Sequence, residues 1–161
     1  MREINPGHID ALTGMVNNGP YYQLLSMRIV EIRRSYARVE INMENKHMNP
    51  FGIIHGGVIS SVLDTAGFWA AYCDLDEDVG FTSMDLNVTF LSMVQEGLVI
   101  VEGKTIKVGR SSCLVEAKAT DTHGKLLAYA TSKIMLLQGR QNLDHVVEVM
   151  GYPALPPKFL D

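Results

Sequence analysis

The sequence predicts an α+β fold in which a curved antiparallel sheet wraps around one long central helix. Residues 56–73 are apolar on nearly every side of a helix. Segments before and after them alternate apolar and polar residues with a period of two, and short turn sequences separate the later segments at hairpin spacing. A helix this greasy does not rest on a surface with one wet side. It needs a sheet bent around it.

The chain opens on Asn5-Pro6-Gly7, after which Ile9, Leu12 and Val16 recur at helical spacing until Asn17-Asn18-Gly19-Pro20 stops them, giving a helix over 5–17. A single helical turn follows over 21–25. Strands are expected at 27–33 and 36–43, joined by a tight turn; in the second, Tyr36, Arg38, Glu40 and Asn42 alternate with Ala37, Val39, Ile41 and Met43. Residues 44–57, rich in Asn, His, Pro and Gly, form a loop. In the central helix Val58, Ile59, Val62, Leu63, Ala66 and Trp69 lie on most faces. Further strands near 82–92, 97–107, 112–121 and 126–137 are separated by Gln95-Glu96-Gly97, Val108-Gly109-Arg110 and Thr122-His123-Gly124-Lys125, and read as successive hairpins. Residues 1–138 make one domain with its N-terminal helix. Residues 139–161, amphipathic at Leu143, Val146, Val147 and Met150 and then Pro-rich, form an extension that shapes a subunit interface or covers part of the pocket.

With 161 residues, 47% hydrophobic and 20% charged, the chain has the length and composition of one globular domain. A formal net charge of −4 leaves no basic stripe to neutralise a nucleic-acid backbone. No run has the length and purity of a membrane span, and the N-terminus lacks the basic-then-apolar pattern of a signal peptide, so a cytoplasmic protein is expected. Cys73 and Cys113 sit far apart in apolar surroundings and read as buried free thiols. There is no GxSxG nucleophile elbow and no metal-ligating cluster, and neither cofactor nor metal is expected.

Chemistry concentrates where the loop meets the central helix. Gly56 and Gly57 open that helix, where the first N–H groups have no intrahelical partner, the dipole adds positive charge and a ligand can approach the backbone closely. Such a tip suits an oxyanion; a tightly packed glycine loop is the alternative. Asp64 is the only charged residue between His55 and Asp74, in the middle of the apolar helix. A carboxylate there needs a hydrogen bond, a partner or a wet cleft. It either acts chemically or holds a neighbouring loop. Gly56 and Asp64 are eight residues apart, about 12 Å along a helix at about 1.5 Å per residue. One small reacting group does not reach both. If both serve one site, they come from two chains related by a two-fold axis. Ser60 and Ser61 read as small packing residues on the same helix.

The stretch Asn49-x-x-Gly52-x-x-His55-Gly56-Gly57, with Asp64 seven residues on, resembles the signature of hotdog-fold acyl-CoA thioesterases. It is most similar to the branch holding the phenylacetate-pathway thioesterase and the mammalian thioesterase-superfamily enzymes. The similarity continues through Ser83-Met84-Asp85-Leu86-Asn87-Val88-Thr89-Phe90, Lys107-Val108-Gly109-Arg110-Ser111 and Gly124-Lys125-Leu126-Leu127-Ala128, covering roughly residues 22–137. The resemblance implies hydrolysis of an acyl-CoA by a homodimer, arranged as a dimer of dimers. Gly56 then donates its N–H to the thioester carbonyl. Asp64 of the partner chain is general base or nucleophile, Ser83 helps hold the attacking water, and Asn49 orients water or substrate. His55 matches the motif and either takes part or orders the loop. Gly57, Lys107, Gly109, Arg110 and Ser111 match substrate- and CoA-binding positions, with Lys107 and Arg110 near the nucleotide phosphates or simply on a solvated turn. Phe51, Phe68, Trp69 and Met93 line an acyl tunnel or belong to the core. An acyl-thioester hydratase and a non-catalytic acyl-CoA-binding module are the alternatives, and the residues leave open both the acyl group and whether its carrier is CoA or an acyl-carrier protein.

Overall fold

The central helix α3 (Gly56–Tyr72) is the hub of a computed structural model that describes residues 2–160. Ile59, Val62, Leu63, Ala66, Trp69 and Ala70, which recur at helical spacing along one face, are all buried, and Thr65, Gly67, Ala71 and Tyr72 extend the burial to other faces of its C-terminal half. The other elements are β1 (Glu3–Ile4), α1 (Pro6–Asn17), α2 (Pro20–Leu25), β2 (Met27–Arg33), β3 (Tyr36–Met43), β4 (Val79–Ser83), β5 (Asn87–Phe90), β6 (Gly97–Val108), β7 (Ser112–Thr120), β8 (Leu126–Gln138), α4 (Leu143–Met150) and β9 (Phe159–Leu160). The large sheet runs in the order β2-β3-β6-β7-β8-β4, with β5 also beside β8 and neighbours antiparallel. Helix α3 packs across its concave face. The approach is closest at Gly103 of β6, where a Cβ would lie 2.0 Å from the carbonyl oxygen of Ala66. Only glycine fits a backbone pressed that tightly.

The strand expected over 82–92 is instead two. β4 pairs with β8 through Ser83↔Ile134, β5 pairs with β8 through Asn87↔Thr131, and residues 84–86 leave the ladder between them. One backbone bond to β8 persists, from the Met84 N–H to the Lys133 carbonyl (2.8 Å), and side-chain bonds supply the rest. The Asp85 carboxylate accepts from the backbone N–H of Lys133 (2.9 Å) and from its Nζ (3.1 Å), and the Ser132 hydroxyl donates to the Asp85 carbonyl (2.7 Å). The hairpin expected at Gln95-Glu96-Gly97 does not form either. The chain crosses the sheet there, so β6 lies between β3 and β7 while β4 and β5 join the last strand. That order places strands on both flanks of α3, whose C-terminal half is buried on most sides.

Residues 139–160 return across the C-terminal end of α3. β9 pairs with β1, and α4 sets Leu143, Val146, Val147 and Met150 against the core. Lys158 is 2% exposed, its Nζ donating to the carbonyls of Tyr72 and Leu75 at 2.7 Å each. It caps the negative end of the helix dipole with a cation. Cys73 and Cys113 are free and buried. Among the described residues no helix is long and apolar enough to cross a membrane.

Candidate active site

At the start of α3 the three leading N–H groups have different fates. His55 caps the helix: its Nδ1 accepts from the Gly57 N–H (2.8 Å), and its carbonyl accepts from Val58 (3.0 Å). The Gly56 N–H donates to no described residue. One preset donor therefore faces outward at the positive end of the dipole. His55 orders this tip through its ring nitrogen.

Gly56 opens onto a cavity of about 320 Å³ lined by Asn49, Ile53, Ile59, Phe90 and Met93 among others. Asn49 is there, but its Oδ1 already accepts from the N–H groups of Phe51 (2.9 Å) and Ile53 (3.4 Å) and so closes the loop turn. Phe90, at the end of β5, lies against the helix tip; a Cβ on Gly56 would meet its Cζ at 3.0 Å.

Asp64 lies in a second cleft further along the helix, with Ser60, Ser61, Ser83, Met84, Asp85 and Leu86. The Ser83 hydroxyl donates to Asp64 Oδ1 at 2.8 Å. Burial pushes the Asp64 carboxyl above the usual carboxylate range, and the Ser83 hydrogen bond pulls partly back. No cation faces it among the groups that shift it. Ser60 and Ser61, expected to pack, line this cleft instead, with their hydroxyls bonded to the carbonyls of Gly56 (2.9 Å) and Gly57 (2.8 Å). Tyr21 reaches in from α2, its hydroxyl 2.7 Å from Ser61 Oγ. Within one chain, then, Asp64 and Ser83 come together, Gly56 and Asn49 come together, and the two pairs occupy separate clefts.

Lys107, Arg110 and Ser111 are exposed on the β6–β7 hairpin, and Gly109 donates its N–H to the Ser112 carbonyl at 2.8 Å. Of the aromatic and sulfur residues considered for a tunnel, only Met93 lines the Gly56 cavity. Phe68 and Trp69 stack instead in an aromatic cluster with Tyr72 and Phe81, because their side of α3 faces β4. Phe51 stands 89% exposed on the loop. Phe90 was not singled out as a site residue by the sequence; it shares a strand face with Val88 on β5 but stays 55% exposed.

A sequence model of the thioesterase superfamily matches residues 51–128, which hold both clefts' helix and strand residues. Similar proteins include a 1,4-dihydroxy-2-naphthoyl-CoA hydrolase of Listeria monocytogenes, 28% identical over 119 residues that cover 74% of this chain and 97% of the relative. Acyl-coenzyme A thioesterase 13 of Mus musculus is 28% identical over 91 residues, covering 55% of this chain and 64% of that protein. Among solved structures, a thioesterase from Haemophilus influenzae superposes with a TM-score of 0.78 at 20% identity, over 87% of this chain and 97% of the other. That last likeness is one of fold.

Proposed function

We propose that the chain is a hotdog-fold thioesterase and that it hydrolyses an acyl-CoA thioester at sites shared between two subunits. One observation carries the shared site: the free Gly56 N–H and the Asp64–Ser83 pair lie in separate clefts along a single helix. Their separation of eight residues is about 12 Å along the axis, beyond the roughly 3 Å reach of catalytic hydrogen bonds. Two α3 helices running antiparallel across a two-fold axis bring the Gly56 end of each to Asp64 of the other. Exposed apolar side chains around both clefts support a covered surface there, with Met93 77%, Phe90 55% and Met84 53% exposed in the single chain.

In this reading the thioester carbonyl accepts from the Gly56 N–H. Asp64 of the facing subunit, kept a stronger base by burial, takes a proton from water held beside Ser83. The water oxygen bonds to the carbonyl carbon, the negative charge moves to the carbonyl oxygen at Gly56, and its return breaks the C–S bond. The thiolate leaves and receives the proton from Asp64. Direct attack by the carboxylate through an anhydride uses the same groups, and solvent-oxygen labelling in a single turnover separates the two routes. Asn49 and His55 hold the loop and tip in shape, Gly57 supplies the N–H that His55 caps, and Lys107, Gly109, Arg110 and Ser111 meet the nucleotide end of CoA. Asp64→Asn tests the assignment: thiol release from an acyl-CoA panel should fall at least about 10²-fold. Unchanged release would remove Asp64 from the chemistry.

A further inference from the structure

Resting on the thioesterase reading, we infer that the cavity beside Gly56 takes the acyl group, that this group is apolar and uncharged, and that Phe90 sets the preference. The polar side chains of the cavity are those of Asn49 and Ser92, and no charged side chain lines it among the described residues. Asn49 has its oxygen committed to two loop N–H groups. The remainder of the wall is Ile, Leu, Met, Val and Phe side chains. An anionic acyl tail covered here would lose its water and find no cation from this chain's wall, a large penalty for a buried carboxylate. The neighbouring cleft adds the Asp64 carboxylate, whose field opposes a second negative charge. A hydrocarbon tail meets no such penalty and gains from leaving water.

Phe90 has a place no other wall residue has. Its ring touches the Gly56 tip while it also forms one side of the cavity. A carbonyl held by the Gly56 N–H therefore directs the first carbons of its acyl chain along that ring. The ring is more than half exposed, so its position is set by the helix tip and the occupant rather than by dense core packing. Phe90 is thus placed to discriminate between acyl groups without taking part in proton transfer.

The experiment compares 4-methylpentanoyl-CoA with succinyl-CoA, which match in shape at the tail but differ by one negative charge. The wild-type kcat/KM should favour the neutral ester by at least about 10²-fold. Phe90→Ala should narrow that ratio by about tenfold, the scale of a lost apolar pocket contact, while Phe90→Leu should keep most of it. Equal turnover of the two esters, a preference for succinyl-CoA, or an unaltered ratio in Phe90→Ala would overturn the inference. Titration calorimetry on Asp64→Asn separates this from the chemistry: at least tenfold tighter binding of the neutral ester upholds the acyl preference even where turnover is absent, and equal binding defeats it.

Discussion

Replacing Gly56 by proline deletes one N–H and little else. Gly56 is the first residue of α3, where proline is favoured because that N–H has no intrahelical partner. His55 before it has φ −64° and ψ 132°, the extended conformation that a following proline requires. No native hydrogen bond is lost, since the Gly56 N–H donates to no described residue. The new Cβ would lie 3.0 Å from Phe90 Cζ, and that exposed ring can give way by a few tenths of an ångström. Stability should therefore change by no more than about 1 kcal/mol, or about 2–4 °C in Tm. If the N–H holds the developing oxyanion, kcat should fall about 10²–10³-fold, the cost of about 2.7–4 kcal/mol for one such donor. Gly56→Ala brings the same methyl-sized intrusion but keeps the N–H, so it reports the Phe90 contact alone. The assay is steady-state thiol release by wild type and both variants, with thermal unfolding of each. Equal kcat for the Pro and Ala variants would refute the oxyanion role of this amide.

Ser83→Ala removes a hydrogen bond to a charged group, about 1.5–3 kcal/mol, so turnover should drop roughly 10–10²-fold and the acid limb of the pH–rate profile should move to higher pH, because the bond holds the Asp64 pKa down. A limb that stays in place would separate Ser83 from Asp64 ionisation. The folded-state pKa of Asp64 lies above its ordinary value, so its charge costs stability at neutral pH, and that cost disappears as pH falls through the raised pKa toward 3.8. Asp64→Asn should accordingly be at least as stable as wild type at pH 7, with any advantage fading in acid; thermal melts across pH check this, and an advantage that grows in acid would contradict it. Lys158→Met fills the same buried space but leaves the Tyr72 and Leu75 carbonyls without their donor. We expect a loss of about 3 kcal/mol, or about 6–12 °C in Tm, and a melt unchanged from wild type would show that the cap contributes nothing.

Local pattern carried much of the fold into view. The period of two over 36–43 became β3 with the same limits, and the all-round apolar surface after Gly56 became the enclosed α3. The lone acid in that helix proved to sit in a cleft with Ser83 donating to it. Features set by distant partners were not legible. Residues 84–86 read as continuous strand because Met84 and Leu86 are ordinary strand residues, and only Asp85 meeting Lys133 and Ser132 breaks the ladder. Lysine is rarely buried, so nothing local marks Lys158 as a helix cap whose acceptors lie more than 80 residues away. Phe90 shows its role only once β5 is laid against the helix tip.

The division of each site between two subunits is tested most directly by mixing two inactive chains. Protomers carrying Asp64→Asn and protomers carrying Gly56→Pro are each expected to hydrolyse acyl-CoA poorly. In a mixed dimer one site unites the intact Gly56 of the first with the intact Asp64 of the second, while the other site loses both groups. Random mixing at equal amounts should therefore restore roughly a quarter of wild-type activity per chain. Activity that remains at the level of the separate variants, after the subunits have demonstrably exchanged, would mean that Asp64 and Gly56 never serve one substrate across an interface.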